Sequence, residues 1–151
     1  MTSATGNHLS DPEDLPMVDL LRRCSIYLAG VEKDLAEKAG LNTTDARALA
    51  LIVEADAGVE AFSPRVLADV LDVSTASMTA VTDRLEKAGL VERRPNIADR
   101  RKICLHPTSH GSAVHVHIQS GLRETITESL APLSAQDSDA FHRGLRALAQ
   151  L

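Results

Sequence analysis

The chain of 151 residues carries 16 Lys and Arg against 21 Asp and Glu, a formal net charge of −5, and 44% of its residues are apolar. That balance suits one domain with an adequate core and excludes global disorder, and no apolar run approaches the length of a membrane span. Its three aromatic residues, Tyr27, Phe62 and Phe141, are too few for a base-stacking platform, which argues against a binder of RNA or single strands.

Residues 1–15 are polar, acidic and proline-bearing and read as a flexible arm. They lack the basic and apolar regions of a signal peptide, so a cytoplasmic protein is expected. Asp11, Glu13, Asp14 and Asp19 all precede the first Lys or Arg. After Pro16, the residues Met17, Leu21, Cys24, Leu28, Val31 and Leu35 alternate by four and three. This heptad-like stripe predicts a helix over 17–39 that ends near Ala39-Gly40. A second helix is expected from Thr43 or Thr44 to about Asp56.

Ser63 before Pro64 is an N-cap followed by proline at the first helical position. Val66, Leu67, Val70 and Leu71 then give a one-sided apolar stripe. Asp72-Val73-Ser74 is a short turn, with Val73 the expected plug between two helices and Ser74 the cap of the next. Met78, Val81, Leu85 and Ala88 fall at helical spacing and define its buried face. At about 100° per residue, the opposite face carries Thr75, Ala76, Thr79, Ala80 and Asp83, with Lys87 further along and Ser77 at the margin. Gly89 is the natural left-handed cap.

Beyond Gly89 the pattern becomes a strand pair. Leu90–Arg94 leads in and Lys102–Leu105 leads out, and Pro95-Asn96 and Ala98-Asp99 supply turn chemistry. Within 93–102 there are five basic residues and one acid, Asp99. A charge run is most often a solvated hairpin tip. Directly after a helix-turn-helix pattern it gains a second meaning, because such a pair is shaped to enter a DNA groove and grip the flanking backbone.

The last third is helical. Val114, Ile118, Leu122, Ile126 and Leu130 recur every four residues until Pro132. Ser134 to Asp137 then reads as a capping box for a final helix, with Phe141, Leu145 and Leu148 on one face. The end helices either pack within the protomer or pair across a two-fold axis. A dimer is favoured, because helices beyond a complete winged helix need burial and regulators commonly use two-fold symmetry. The fold class is therefore mainly α with a small β-wing. Residues 43–107 form the winged helix-turn-helix, and 17–39 and 108–151 the dimerisation helices.

These residues resemble the MarR family of bacterial winged-helix regulators. The resemblance rests on LADVLDVSTASMTAVTDRLEKAGLVERRP, on the wing DRRK (Asp99 to Lys102) and on LHPTSHG (Leu105 to Gly111). It is specific over roughly a third of the chain and compatible with nearly all of it. Asp83-Arg84 matches the family's Asp-Arg pair, and Arg84 has a structural reading beside the functional one. Ala80 stands where the family often has a basic residue, so base readout by an arginine there is absent. The resemblance implies a dimer with intertwined end helices. It also implies a phenolic or other anionic effector held between those helices and the winged helix.

The expected function is sequence-specific binding of double-stranded DNA by a ligand-responsive repressor acting on a pseudo-palindromic operator. The candidate contacts are Ser74, Thr75, Ala76, Ser77, Thr79, Arg84, Arg94, Asp99, Arg100, Arg101 and Lys102. Net acidity does not oppose this, because local charge governs binding. The competing readings are a winged helix used for protein–protein contact, which Ala76, Ala80 and overall acidity would suit, and an architectural DNA binder without a ligand. No catalytic or cofactor motif occurs: there is no Gly-rich phosphate loop, nucleophile elbow or H-E-x-x-H. Some relatives sense peroxide through a cysteine in the first helix, where Cys24 lies. Its place on the apolar stripe suits an ordinary buried thiol instead. His106, His110, His115 and His117 gather near the fifth helix, but His115 and His117 point to different faces and Pro107 places His106 before the helix. No metal site is expected.

Overall fold

A computed structural model describes residues 15–56, 62–96 and 103–149. In chain order the elements are α1 (Met17–Lys38), α2 (Thr43–Asp56), α3 (Pro64–Leu71), α4 (Thr75–Lys87), β1 (Val91–Pro95), β2 (Ile103–Pro107), α5 (Ser109–Leu130) and α6 (Ala135–Ala149). The antiparallel pair β1–β2 runs in register from Val91 opposite Pro107 to Pro95 opposite Ile103. Phe62, just before α3, accepts a bond from the Leu105 N–H at 2.9 Å.

α2 is the centre of the molecule, packing against α1, α3, α4, α5 and β2. Its inward residues Ala48, Leu49 and Ile52 join Leu67, Met78, Leu85, Val91 and Leu105 in one core. This is the expected result of one-sided apolar helices closing around a small sheet.

The local chemistry explains the boundaries. Asn42 accepts from the Asp45 N–H at 2.9 Å at the start of α2. Ser63 accepts from the Val66 N–H and Ser74 from the Ser77 N–H, each satisfying a donor left open by a first helical turn. Ser134 accepts from the Asp137 N–H and returns a hydroxyl bond to its carboxylate. α4 closes with paired bonds from Leu90 N–H to the Leu85 carbonyl and from Gly89 N–H to the Glu86 carbonyl. Gly89 has φ +68° there, a conformation cheap only without a Cβ.

Three sequence expectations are corrected. Val66 and Val70 are exposed, and α3 buries Leu67 and Ala68 instead. Its eight residues carry apolar side chains around a wider arc than α2 and α4 cover. Ala88 is exposed, because α4 ends at Lys87 and Ala88 serves as its cap. Cys24 is exposed rather than buried, in the half of the α1 stripe where Met17 is 78% exposed. Val73, by contrast, packs against the core as expected. The arm over 1–14 lies outside the described residues.

The winged unit is fastened to the first turn of α5 by Thr108 and Gly111. The Thr108 hydroxyl accepts from the Gly111 N–H at 3.0 Å and donates to the Gly89 carbonyl at 2.6 Å. The Thr108 N–H donates to the Leu90 carbonyl at 3.0 Å. Gly111 sits so close that a Cβ there would lie 2.0 Å from the Leu90 oxygen. Backbone on both sides prevents relief by side-chain rotation. Gly111→Ala is therefore expected to destabilise the fold by about 1–3 kcal/mol or more, the range for overpacking; the shift in the urea unfolding midpoint measures it.

Candidate nucleic-acid interface

The outward face of α4 presents Thr75, Ala76, Thr79, Ala80 and Asp83, all exposed, while Met78, Val81, Thr82 and Leu85 are buried beneath it. Ser74 and Ser77 stand at the N-terminal end with their hydroxyl oxygens 2.8 Å apart. Ser74 is thereby committed to capping. Thr79 donates its hydroxyl to the Thr75 carbonyl at 2.9 Å, so in this rotamer it offers outward an accepting oxygen and a methyl group rather than a donor. A threonine methyl suits apolar contact with thymine.

Arg84, one of the candidate contacts, is turned to another use. Its Nε donates to Asp45 Oδ2 at 3.0 Å and its Nη2 to Asp45 Oδ1 at 2.6 Å. Asp45 is 5% exposed and also takes a bond from the Asn42 amide at 3.0 Å. The two-point geometry locks α4 onto the start of α2, and it is the stronger form of arginine–carboxylate contact. Bonding to Asp45 raises the Arg84 pKa above its already high usual value, outweighing desolvation.

Arg94 lies on β1, exposed and paired with Glu92. Asp99, Arg100, Arg101 and Lys102 lie outside the described residues. β1 ends at Pro95 and β2 begins at Ile103, its antiparallel partner in register. The structure thus gathers Ser74, Thr75, Ala76, Ser77 and Thr79 on one end of α4, and sets Arg84 and Arg94 to different tasks.

Sequence reasoning missed Arg93. It reaches from β1 to α4, with Nη2 at 2.6 Å from Asp83 Oδ1 and 2.9 Å from Thr82 Oγ1, and Nη1 at 2.5 Å from Glu86 Oε2. Bonding to Asp83, against a smaller desolvation effect, raises its pKa. The signal that could have found it was strand alternation: Arg93 and Arg94 must point to opposite sides of β1, so one of them turns toward the helix.

Among the histidines, His106 Nδ1 lies 2.8 Å from Asp56 Oδ1 at the end of α2. No group of three or more His, Cys, Asp or Glu that could hold a metal ion occurs among the described residues. A cleft between α1, α2 and α5 is lined by Glu32, Ala36, Arg47, Ala50, His115 and Leu122 among others. No helix among the described residues is long and apolar enough to cross a membrane.

Comparison with known proteins places this geometry. A family profile described as MarR family matches residues 39–102. The HTH-type transcriptional regulator PecS of Dickeya dadantii is 26% identical over 127 residues, 84% of this chain and 76% of that protein. The crystal structure of YusO from Bacillus subtilis superposes with a TM-score of 0.72 at 22% identity, covering 93% of this chain and 99% of YusO. A MepR variant of Staphylococcus aureus bound to an oligodeoxyribonucleotide gives 0.68 at 14% identity, covering 91% and 98%. At those identities the two structures speak for the fold.

The Asp45–Arg84 lock has a measurable consequence. Arg84→Ala leaves a carboxylate at the core edge with Asn42 as its remaining side-chain partner. Because the guanidinium is 50% exposed, the expected destabilisation is about 1–3 kcal/mol, below that of a fully buried pair. Adding Asp45→Asn is expected to recover part of it, and urea denaturation of the two variants checks both signs.

Proposed function

The chain belongs to the MarR family of transcriptional regulators, and from that premise we propose that it is a homodimeric repressor of a pseudo-palindromic duplex operator, released by a small molecule. The observation that carries this reading is the exposed, small and hydroxyl-bearing face of α4, next in the chain to a strand pair whose intervening sequence holds Arg100, Arg101 and Lys102. Thr75, Ala76, Ser77 and Thr79 enter the major groove, with Ser74 at the helix start. Arg94 and, from the sequence between the strands, Arg100, Arg101 and Lys102 meet phosphate or the minor groove, and Asp99 orients one arginine. Arg84 acts chiefly by holding α4 in place. With alanine at 76 and 80, direct readout is modest and DNA shape contributes more of the specificity. The reading includes no catalysis and no cofactor, and it places the protein in the cytoplasm with its DNA.

The wing gives the first test. Arg100→Ala with Arg101→Ala should weaken binding to all duplexes and flatten the salt dependence by about one unit of logarithmic slope for each phosphate no longer gripped. Fluorescence anisotropy on a duplex selected from random sequences, across a salt series, measures both. An unchanged affinity and slope would remove the wing from the interface.

Assembly rests on the end helices. All fifteen residues of α6 are exposed, and Phe141, Leu145 and Leu148 form an uncovered apolar face. Met17, Leu20 and Tyr27 leave a second such face on α1. A two-fold partner covering them would also set two copies of α4 about 34–36 Å apart, the spacing of successive major grooves. The cleft between α1, α2 and α5 is where an anionic effector would sit, with Arg47 and His115 as its polar partners. Leu145→Asp changes an exposed position of the lone protomer, yet it would bury a carboxylate in the dimer. It is expected to give a folded monomer with greatly reduced DNA affinity; sedimentation and the anisotropy assay together decide.

A further inference from the structure

α4 carries an electrostatic contradiction on the face assigned to DNA. Thr75, Thr79 and Asp83 are spaced by four and lie in one line along the helix, and Glu86 falls within about 60° of Asp83 on the same side. Asp83 and Glu86 are exposed. Two carboxylates one and two turns beyond Thr79 would stand near DNA phosphate, within the roughly 10 Å over which charges act at 0.1 M salt. Like charges placed against each other at an interface cost affinity.

Arg93 lies over both of them. Its two terminal nitrogens reach Asp83 and Glu86 separately, and Thr82, buried beneath, accepts a third bond. The side chain is 31% exposed, less than either carboxylate at 57% and 41%. Its placement is that of a cap over the acids, with its donors turned inward rather than outward to a phosphate. Arg94, next on the strand, is paired with Glu92 and supplies no second cover for α4 in this arrangement.

We propose that Arg93 is a positioning residue for DNA binding, one that neutralises Asp83 and Glu86 on the recognition face and ties the wing strand to α4 without itself touching DNA. This rests on the DNA-binding reading above. It assigns the arginine pair of β1 two distinct roles, the first turned to the helix and the second to solvent. It also explains how an acidic helix end coexists with a polyanion.

The experiment is a mutant cycle read by anisotropy on the selected duplex, with thermal melting of each variant as a control for folding. Arg93→Gln alone should weaken binding roughly tenfold near 0.1 M salt, and the deficit should shrink as salt rises. In a background of Asp83→Asn with Glu86→Gln, the same Arg93→Gln change should have little effect. The Asp83→Asn, Glu86→Gln variant itself, with Arg93 intact, should bind at least as tightly as the parent. That variant keeps the arginine and so tests the idea even where Arg93→Gln folds poorly. An equal drop in affinity from Arg93→Gln in both backgrounds would mean a direct phosphate contact and overturn the proposal. Weaker binding by the carboxylate-free variant would overturn it too, as would an Arg93→Gln variant that melts earlier but binds as the parent does. A parent that binds no duplex overturns the functional reading and this inference together, whereas a parent that binds with an uncoupled cycle overturns this inference alone.

Discussion

The close approach of Gly111 to the Leu90 carbonyl is the constraint on which the architecture turns. A Cβ at 111 would fall 2.0 Å from that oxygen, so the first turn of α5 lies directly on the backbone leaving α4. Thr108 reinforces the joint from both sides, accepting from Gly111 and donating to the Gly89 carbonyl. The end of α4, the start of β1 and the start of α5 are thereby one rigid unit. Rigid joints carry displacements rather than absorb them. The orientation of α4 is thus referred to α5, the longer of the two helices after β2.

Around that joint, ion pairs hold α4 from its other sides. Asp45 draws Arg84 toward α2 and Arg93 draws Asp83 and Glu86 toward β1. Both arginines use two nitrogens, which fixes direction as well as distance. The buried face of Met78, Val81 and Leu85 gives α4 its hold on the core, but a greasy face alone permits rolling and sliding. The polar fasteners remove that freedom. Their effect on overall stability is modest, because each has a half-exposed member; their main effect is a fixed angle.

Features set by neighbouring residues were legible in the sequence. Ser63, Ser74 and Ser134 cap the helices they precede, and Gly89 closes α4, because those bonds span three or four residues and depend on local chemistry alone. The strand pair was legible for the same reason. Features set by distant residues were not. Asp45 meets Arg84 across 39 positions and Asp56 meets His106 across 50, and no periodicity announces either. Burial failed where two apolar arcs competed: Val66 and Val70 are apolar like Leu67 and Leu71, and only the positions of α2 and α4 decide which side is covered. Thr79 was visible as an exposed hydroxyl, but its bond back to the Thr75 carbonyl depends on a rotamer that sequence does not specify. The wing residues 99–102, prominent in the sequence, fall outside the described structure.

The uncovered α6 has a consequence for how long a protomer survives. A fifteen-residue helix without tertiary packing is marginal in water, because nucleation is costly and little holds the ends. In the proposed two-fold assembly, each copy supplies the cover that keeps the other's last helix wound. A protomer without a mate would fray there, and frayed chain is what proteases cut. Surplus copies would then be cleared faster than paired ones, so turnover itself would keep the pool of free protomers small.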